Sequence, residues 1–265
     1  MRFSRRCVSL AVLACLTRTA SAESAELRVG ISNDNPPWSF APDRLAALVA
    51  ADGPLPPVTP AQWRTLSGLD VDVARALAQR LGMSLRLVSA NWLNIEKELL
   101  DEKFDVILSS WTPSRKTPAS VVASDPYYTW GLVICVRGDE AKVRSYHDLP
   151  QARLVGHYLD PAVEQTLRSM GAAHTKAYDS EGALFKALSE GSIDALVHDS
   201  TYVRWRVNAD PKFRIVGDPL NRLGYHVGVR KDDKQLLERV NVAVRELLAS
   251  PEMAEIRKKS DAFGK

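Results

Sequence analysis

Residues 105–128 read Asp105-Val-Ile-Leu-Ser-Ser-Trp-Thr-Pro-Ser-Arg-Lys-Thr-Pro-Ala-Ser-Val-Val-Ala-Ser-Asp-Pro-Tyr-Tyr128, and the fold assignment starts from this stretch. It begins with a short apolar run that has the length of a buried strand. Ser109, Ser110 and Thr112 follow, and their hydroxyl groups can donate or accept hydrogen bonds. Thr112 before Pro113 is typical of a helix N-cap followed by proline at the first helical position. The stretch therefore predicts a buried strand, a group of hydroxyl residues and a helix N terminus.

A helix that begins at Pro113 would provide a binding site for a small anion. Its free backbone N–H groups and the positive end of its dipole would point toward the hydroxyl residues. Arg115 lies in the first turn of this predicted helix, where a guanidinium group can bind a carboxylate through two hydrogen bonds. The stretch then leads into the apolar run from Gly131 to Val136, which predicts another strand.

The chain on both sides of this stretch alternates short apolar runs with amphipathic segments. Leu27–Ile31 has the pattern of a strand, and residues 70–81 carry apolar side chains at helical spacing. The second half repeats the alternation, with a helix predicted over residues 181–189 and a strand over 194–197. Such alternation predicts an α/β fold with mainly parallel sheets and flanking helices.

Two apolar runs, residues 131–136 and 223–229, separate the two rounds of alternation and predict two crossings between two lobes. We expect lobe 1 to contain residues 23–130 and 226–265, and lobe 2 to contain residues 131–225.

The segment 41–67 interrupts lobe 1. Residues 45–50 predict one short helix, and a proline-rich part follows them. A segment of this length is either a surface decoration or a lid over a site, and the first interpretation is favoured.

These motifs resemble the extracellular solute-binding proteins of family 3, the polar amino-acid type. Besides the opening stretch, four segments carry the resemblance in the expected order: residues 27–40, 68–78, 191–199 and 228–233. The resemblance implies a type II, or Venus-flytrap, periplasmic-binding-protein fold. It also implies that a small polar, amino-acid-like or amine solute binds between the lobes and is passed to an ABC permease. Neither catalysis nor a cofactor is implied.

The N-terminal segment and the charge fit export. Residues 1–22 combine a basic start, an apolar core and an Ala-Ser-Ala end, which is typical of a signal peptide cleaved after Ala22. Without the four arginines of this segment, 31 of the 35 basic residues remain, against 32 acidic residues. The mature chain is therefore nearly neutral, and no basic run predicts nucleic-acid binding. We expect a soluble, monomeric periplasmic protein.

The carboxyl ends of the strands in both lobes predict the binding cleft. Asp199 follows a predicted buried strand and precedes a predicted helix, so it either caps that helix or binds the ligand. The resemblance favours the second role, because the matching aspartate of the family binds the ammonium group of the ligand. The full set of expected ligand-binding residues is Asn35, Trp38, Trp92, Ser109, Ser110, Trp111, Thr112, Arg115, Asp160 and Asp199.

The sequence departs from the family pattern at several of these positions. Asn35 replaces the usual stacking aromatic residue, and Asp160 stands where a Gly-Thr-Thr turn would bind the ligand's carboxylate. Counting without gaps places Thr117 rather than Arg115 at the carboxylate clamp. Three tryptophans with two carboxylates would also suit a cationic amine, since ring faces attract cations.

Three other functions are weighed against solute binding. A periplasmic cyclohexadienyl dehydratase would use Asp160 or Asp199 as an acid, and an accessory protein of a quinoprotein dehydrogenase would have lost transport-type binding. A metal bound by His157, His198 and Asp199 lacks a recognised ligand spacing. We therefore expect a binding protein, with no enzyme activity, no cofactor and no metal.

Overall fold

The computed structural model describes residues 25–50, 56–114, 116–158 and 161–262. The proposed signal peptide, Arg115 and Asp160 lie outside the described residues. The strands are β1 (Glu26–Ile31), β2 (Ser84–Ser89), β3 (Val106–Ile107), β4 (Val121–Trp130), β5 (Leu132–Arg137), β6 (Val155–Tyr158), β7 (Thr175–Tyr178), β8 (Ala195–Asp199), β9 (Phe213–Val216) and β10 (Leu223–Arg230). The α-helices are α1 (Leu45–Ala50), α2 (Pro60–Arg64), α3 (Leu69–Leu81), α4 (Ile95–Leu100), α5 (Pro161–Ser169), α6 (Glu181–Ser189), α7 (Ser200–Ala209), α8 (Lys234–Leu248) and α9 (Pro251–Ala262).

Two five-stranded sheets organise these elements. The first has the strand order β2-β1-β3-β10-β4 and the second the order β7-β6-β8-β5-β9. In each sheet the first three strands run parallel, and the last two pairings are antiparallel. The expected two-lobe α/β architecture is confirmed, with mixed sheets in both lobes. The predicted residue boundaries of the lobes stay a prediction.

The chain passes between the sheets at two adjacent places, β4 to β5 and β9 to β10. The side chain of Asn221 accepts a hydrogen bond from the Leu132 amide at 2.8 Å, and the Leu220 amide donates to the Leu132 carbonyl at 2.8 Å. Gly131 is required here, because a Cβ atom would lie 2.2 Å from the Asn221 carbonyl oxygen. The two crossings are therefore fixed to each other.

Local signals account for several helix ends. Gly82 adopts a left-handed conformation and ends α3, and Ser180 caps the start of α6. Asp233 accepts a hydrogen bond from Leu236 at the start of α8. In the described part of the chain, no helix is both long enough and apolar enough to cross a membrane.

The prediction that a helix begins at Pro113 is wrong. Residues 111–114 have no regular secondary structure, and residues 116–120 form turns and a bend. The Thr112 hydroxyl donates to the Gly224 carbonyl at 2.8 Å and accepts from the Trp130 indole at 3.1 Å, so it does not cap a helix. The anion site that depended on this N terminus is not formed in the described part of the stretch.

The segment 41–67 is anchored at both ends. Phe40 and Ser67 exchange two backbone hydrogen bonds of 2.9 Å. The guanidinium group of Arg44 forms an ion pair with Asp34 at 2.6 Å and donates to the carbonyl of Pro56. The predicted short helix is confirmed as α1, which packs against α6 on the other side of the cleft. Leu45 packs against the main hydrophobic core.

Candidate functional site

Aromatic rings from both lobes meet between the two sheets. Trp38, in the loop after β1, is only 5% exposed and stacks on Tyr202 in the first turn of α7, with 6.1 Å between ring centroids. The indole N–H of Trp38 has no partner in the described residues. A lobe 1 side chain therefore contacts a lobe 2 helix directly.

Tyr225, on β10, is the centre of this aromatic group. Its ring stacks on Trp130 at 5.4 Å and on Tyr128 at 5.8 Å, and it meets Trp38 edge to face at 6.2 Å. Its hydroxyl group donates to the carboxylate of Asp199 and lies 3.3 Å from the Thr201 hydroxyl. Burial and the nearby Asp199 charge raise the pKa of Tyr225 well above its usual value.

Asp199 ends β8 and caps α7. Its Oδ1 accepts a 2.6 Å hydrogen bond from the Thr201 amide, and its Oδ2 accepts from the Tyr225 hydroxyl. Burial raises the pKa of Asp199 to about 6, although these hydrogen bonds oppose the rise. A carboxylate offers about four acceptor positions, so the cap leaves capacity for another donor.

Asp70, in the first turn of α3, is a second buried carboxylate on the lobe 1 side. It accepts hydrogen bonds from the Tyr127 hydroxyl at 2.7 Å and the Ser110 amide at 2.6 Å. Burial raises the pKa of Asp70 to about 7, and the charge of Asp199 adds to this rise. The sequence predicted no role for Asp70 or Tyr127. The one sequence feature that could have indicated a role for Asp70 is its position as an acidic residue on an otherwise apolar face of the predicted helix.

The predicted hydroxyl residues of lobe 1 are bonded to protein groups. The Ser109 hydroxyl accepts from the Ser32 amide at 3.0 Å, and the Ser110 amide is bound to Asp70. The Trp111 indole donates to Glu96 at 3.0 Å. The Thr112 hydroxyl is bound to Gly224, so the hydroxyl groups of Ser109 and Thr112 and the amide of Ser110 are engaged within the protein.

Two further expected residues contribute no side chain to the group of rings in the described part of the chain. Trp92, after the carboxyl end of β2, is 49% exposed, and no ring contact is formed by it in the described part of the chain. Asn35 exchanges backbone hydrogen bonds with Ser39, which fixes the loop that carries Trp38. Arg115 and Asp160 lie outside the described residues, so their expected roles stay predictions.

A polar group lies beside the rings on lobe 2. The Nδ1 atom of His198 accepts a 2.7 Å hydrogen bond from the Asp199 amide, and its Nε2 atom is buried without a partner in the described residues. Among the described residues, the carboxylate atom nearest to Nε2 is Oε1 of Glu181, at 3.9 Å. Tyr158 and Tyr202 flank the His198 ring at 5.9 Å and 5.0 Å.

The three residues of the metal alternative are not arranged as ligands. His157 Nδ1 lies 2.8 Å from the Tyr158 carbonyl, and His198 Nδ1 binds an amide. Across the described ranges, no three His, Cys, Asp or Glu side chains converge on a point that could hold a metal ion. Cys135 is buried, which raises the pKa of its thiol to about 12.

A family model and known proteins match most of the chain. The model for bacterial extracellular solute-binding proteins, family 3, matches residues 47–262. The L-cystine-binding protein TcyJ of Escherichia coli K12 is 27% identical over 228 residues, which cover 85% of this chain and 78% of that protein.

Two solved structures extend the comparison. The holo arginine-binding protein of T. maritima is 31% identical, with a TM-score of 0.64, over 89% of this chain and 96% of the other. The ancestral amino acid-binding protein AncCDT-1, described as a precursor of cyclohexadienyl dehydratase, is 26% identical. Its TM-score is 0.69, over 89% of this chain and 94% of that one.

Proposed function

The chain belongs to the bacterial extracellular solute-binding proteins of family 3, and we propose that it captures a small solute with a positively charged nitrogen between its lobes. The bound form would then be presented to an ABC permease in the inner membrane. The proteins that resemble it bind cystine and arginine, which both carry such a nitrogen.

The observation that carries this proposal is the environment of Asp199. It is a buried carboxylate beside Trp38, Tyr202 and Tyr225, and no lysine or arginine of the described residues forms an ion pair with it. Burying an unpaired carboxylate is unfavourable, and its pKa is raised accordingly. A cationic ligand group would supply the missing charge and would contact the ring faces as well.

The expected affinity follows from a few contacts. Micromolar binding needs about 8 kcal/mol of net free energy. A charge-assisted hydrogen bond contributes about 1.5–3 kcal/mol, and a cation against a ring face up to about 2 kcal/mol. Burial of the ligand's apolar atoms between the rings would supply most of the remainder. No covalent chemistry is required.

Closure of the lobes would report the bound state to the permease. Trp38 and Tyr225, on the side of the first sheet, contact Tyr202 and Asp199, on the side of the second, so we assign these contacts to a closed arrangement. A ligand that contacts both lobes favours the closed form by as much as its affinity for the closed form exceeds its affinity for the open form.

We propose that the protein acts as an exported monomer, cleaved after Ala22, without a nucleic-acid partner. Its intact mass after export would test the cleavage site.

Solute binding is tested by removing the charge of Asp199 while keeping the helix cap. Asparagine caps helices as well as aspartate does, so Asp199→Asn should leave the melting temperature nearly unchanged. Calorimetric titration with L-arginine and pentane-1,5-diamine should show binding weakened by about 1.5–3 kcal/mol. Asp210→Asn, at the other end of α7, is the matched control. Equal losses of stability and binding would indicate that Asp199 is only a cap.

One observation favours a second candidate, a cyclohexadienyl dehydratase-like enzyme. Two buried carboxyl groups, Asp70 and Asp199, have pKa values raised to about 7 and about 6, a range that suits a general acid. The carboxylate clamp that such a substrate needs rests on Arg115, and we expect no turnover of prephenate. Measurable turnover that is lost in Asp199→Asn would overturn the binding-only function. The remaining candidate, an accessory protein, would co-purify with a quinoprotein dehydrogenase.

A further inference from the structure

We propose that Glu181, His198 and Tyr158 form a second polar subsite of the cleft, which binds an uncharged ligand group able both to donate and to accept a hydrogen bond. A hydroxyl or a carboxamide is such a group. The inference rests on the proposed function, since it concerns another part of the same solute.

The three residues come from neighbouring parallel strands. Tyr158 ends β6, Glu181 opens α6 directly after β7, and His198 is the penultimate residue of β8. The second sheet places these strands in the order β7-β6-β8, so their carboxyl ends lie at one edge. The edge is the one that carries Asp199. The subsite is therefore adjacent to the proposed ammonium site.

The hydrogen bonds of His198 identify which ring nitrogen is free. Because Nδ1 accepts the Asp199 amide proton, a neutral imidazole carries its own proton on Nε2. Burial lowers the pKa of His198 to about 4, so the ring is neutral at physiological pH. The Nε2–H group is a buried donor, in a side chain that is 9% exposed, without a hydrogen-bond partner in the described residues. Buried donors in folded proteins are nearly always satisfied.

Glu181 is the acceptor that faces this donor. Its Oε1 lies 3.9 Å from Nε2, beyond hydrogen-bond distance, and its side chain is 29% exposed. No lysine or arginine of the described residues lies within ion-pair distance of Glu181, although the more distant charge of Arg206 favours its ionised form. Burial raises its pKa, and its charge in turn raises the pKa of Tyr158. Glu181 and Tyr158 are thus close neighbours.

These groups define the chemistry of the missing partner. An ammonium group could donate to Glu181 but could not accept from His198, and a carboxylate could accept from His198 but would be repelled by Glu181. A hydroxyl or carboxamide satisfies both residues. The ring centroids of Tyr202 and His198 are 5.0 Å apart, and the Tyr202 ring also stacks on Trp38. One ligand can therefore contact the rings, Asp199 and this subsite.

The test uses two amines of equal size and charge, 4-aminobutanamide and 4-methylpentan-1-amine. The first ends in a carboxamide group and the second in an isopropyl group. Titration calorimetry of the full-length mature protein should show that the wild type prefers the amide by tenfold or more, on the order expected for a site that bonds a polar ligand group. Glu181→Met and His198→Phe should each remove this preference by lowering the affinity for 4-aminobutanamide about tenfold more than the affinity for 4-methylpentan-1-amine.

Glu190→Met, at the exposed end of α6, is the matched control and should keep the preference. If His198→Phe fails to fold, Glu181→Met alone decides, because Glu181 is partly exposed. Equal wild-type affinities for the two amines, both lost in Asp199→Asn, would overturn the subsite and leave the proposed function intact. Absence of binding by either amine would overturn both.

Discussion

The hydroxyl group of Tyr225 donates a hydrogen bond to the carboxylate of Asp199, and this bond joins the two lobes at the proposed ligand anchor. Tyr225 lies on a strand of the first sheet, and Asp199 ends a strand of the second. The same phenol ring packs against Trp38 and Trp130. The position of the Asp199 carboxylate therefore depends on a strand of the other sheet, and we expect ligand binding at Asp199 to be coupled to the arrangement of the lobes.

Tyr225→Phe removes this hydroxyl group and keeps the ring. Loss of one buried hydrogen bond should lower the free energy of unfolding by about 1–2 kcal/mol. Because the Tyr225 hydroxyl lowers the pKa of Asp199, its loss should raise that pKa above about 6 and move the onset of amine binding to higher pH. Thermal unfolding and titrations between pH 5 and 8 measure both effects. Tyr146→Phe, an exposed tyrosine, is the control, and an unchanged pH profile would contradict the coupling.

Asp70→Asn should change how stability depends on pH. The pKa of Asp70 is about 7 in the folded protein, above its usual value of 3.8, so folding favours the protonated carboxyl group. Stability is then highest below pH 4 for this group and is lost as the pH rises to 7, by up to about 4 kcal/mol. Asparagine cannot ionise, so the variant should lose most of this slope and retain the smaller part due to Asp199.

Chemical denaturation at several pH values would measure this slope. The exposed Asp139→Asn variant is a suitable control, since its side chain is 85% exposed. A slope in Asp70→Asn identical to that of the wild type would show that Asp70 is ionised in the folded protein throughout this range.

Local sequence patterns were sufficient where local forces decide the structure. The amphipathic pattern of α3 ends at Gly82, and α6, β8 and α7 follow each other as predicted, since caps and apolar periodicity lie within a few residues. Asp199 caps its helix, which one of the two interpretations of the sequence predicted, and it also accepts a hydrogen bond from Tyr225 of the other sheet. The ligand role itself stays a prediction.

Distant contacts explain what the sequence did not predict. Thr112 has the pattern of an N-cap, but Gly224, 112 positions away, takes its hydroxyl group. Pro126 belongs to β4, an edge strand whose pairing with β10 is irregular at this residue, and the sequence did not predict this strand. The raised pKa of Asp70 depends on burial by residues distant in the sequence, so its position on an apolar helix face alone did not predict it.

Replacement of residues 46–58 by a short Gly-Ser linker should accelerate ligand release. The hydrogen bonds between Phe40 and Ser67 close the base of the segment, so lobe 1 should still fold. Helix α1 packs against α6 of lobe 2, and the closed form would lose this contact. Stopped-flow fluorescence of the cleft tryptophans should show dissociation at least several times faster than in the wild type. Unchanged rates would favour the surface-decoration interpretation of this segment.

Arg115→Ala and Thr117→Ala separate the two possible carboxylate clamps. The hydroxyl group of Thr117 accepts from the Ser114 amide at 2.9 Å and donates to Glu96 at 2.7 Å, so it is already bonded within lobe 1. Thr117→Ala should therefore affect stability more than binding. Arg115, in contrast, can form a bidentate pair with a ligand carboxylate.

L-lysine and pentane-1,5-diamine are the probes that isolate this clamp, because they differ only in the α-carboxylate. If Arg115 binds that group, the wild type should prefer L-lysine, and Arg115→Ala should weaken L-lysine binding about 100-fold, or about 3 kcal/mol. The affinity for the diamine should stay the same, since its two ammonium groups do not need the guanidinium. Equal affinity of Arg115→Ala and the wild type for L-lysine would show that this protein has no carboxylate clamp at Arg115, and the solute would then belong to the amines that lack a carboxylate.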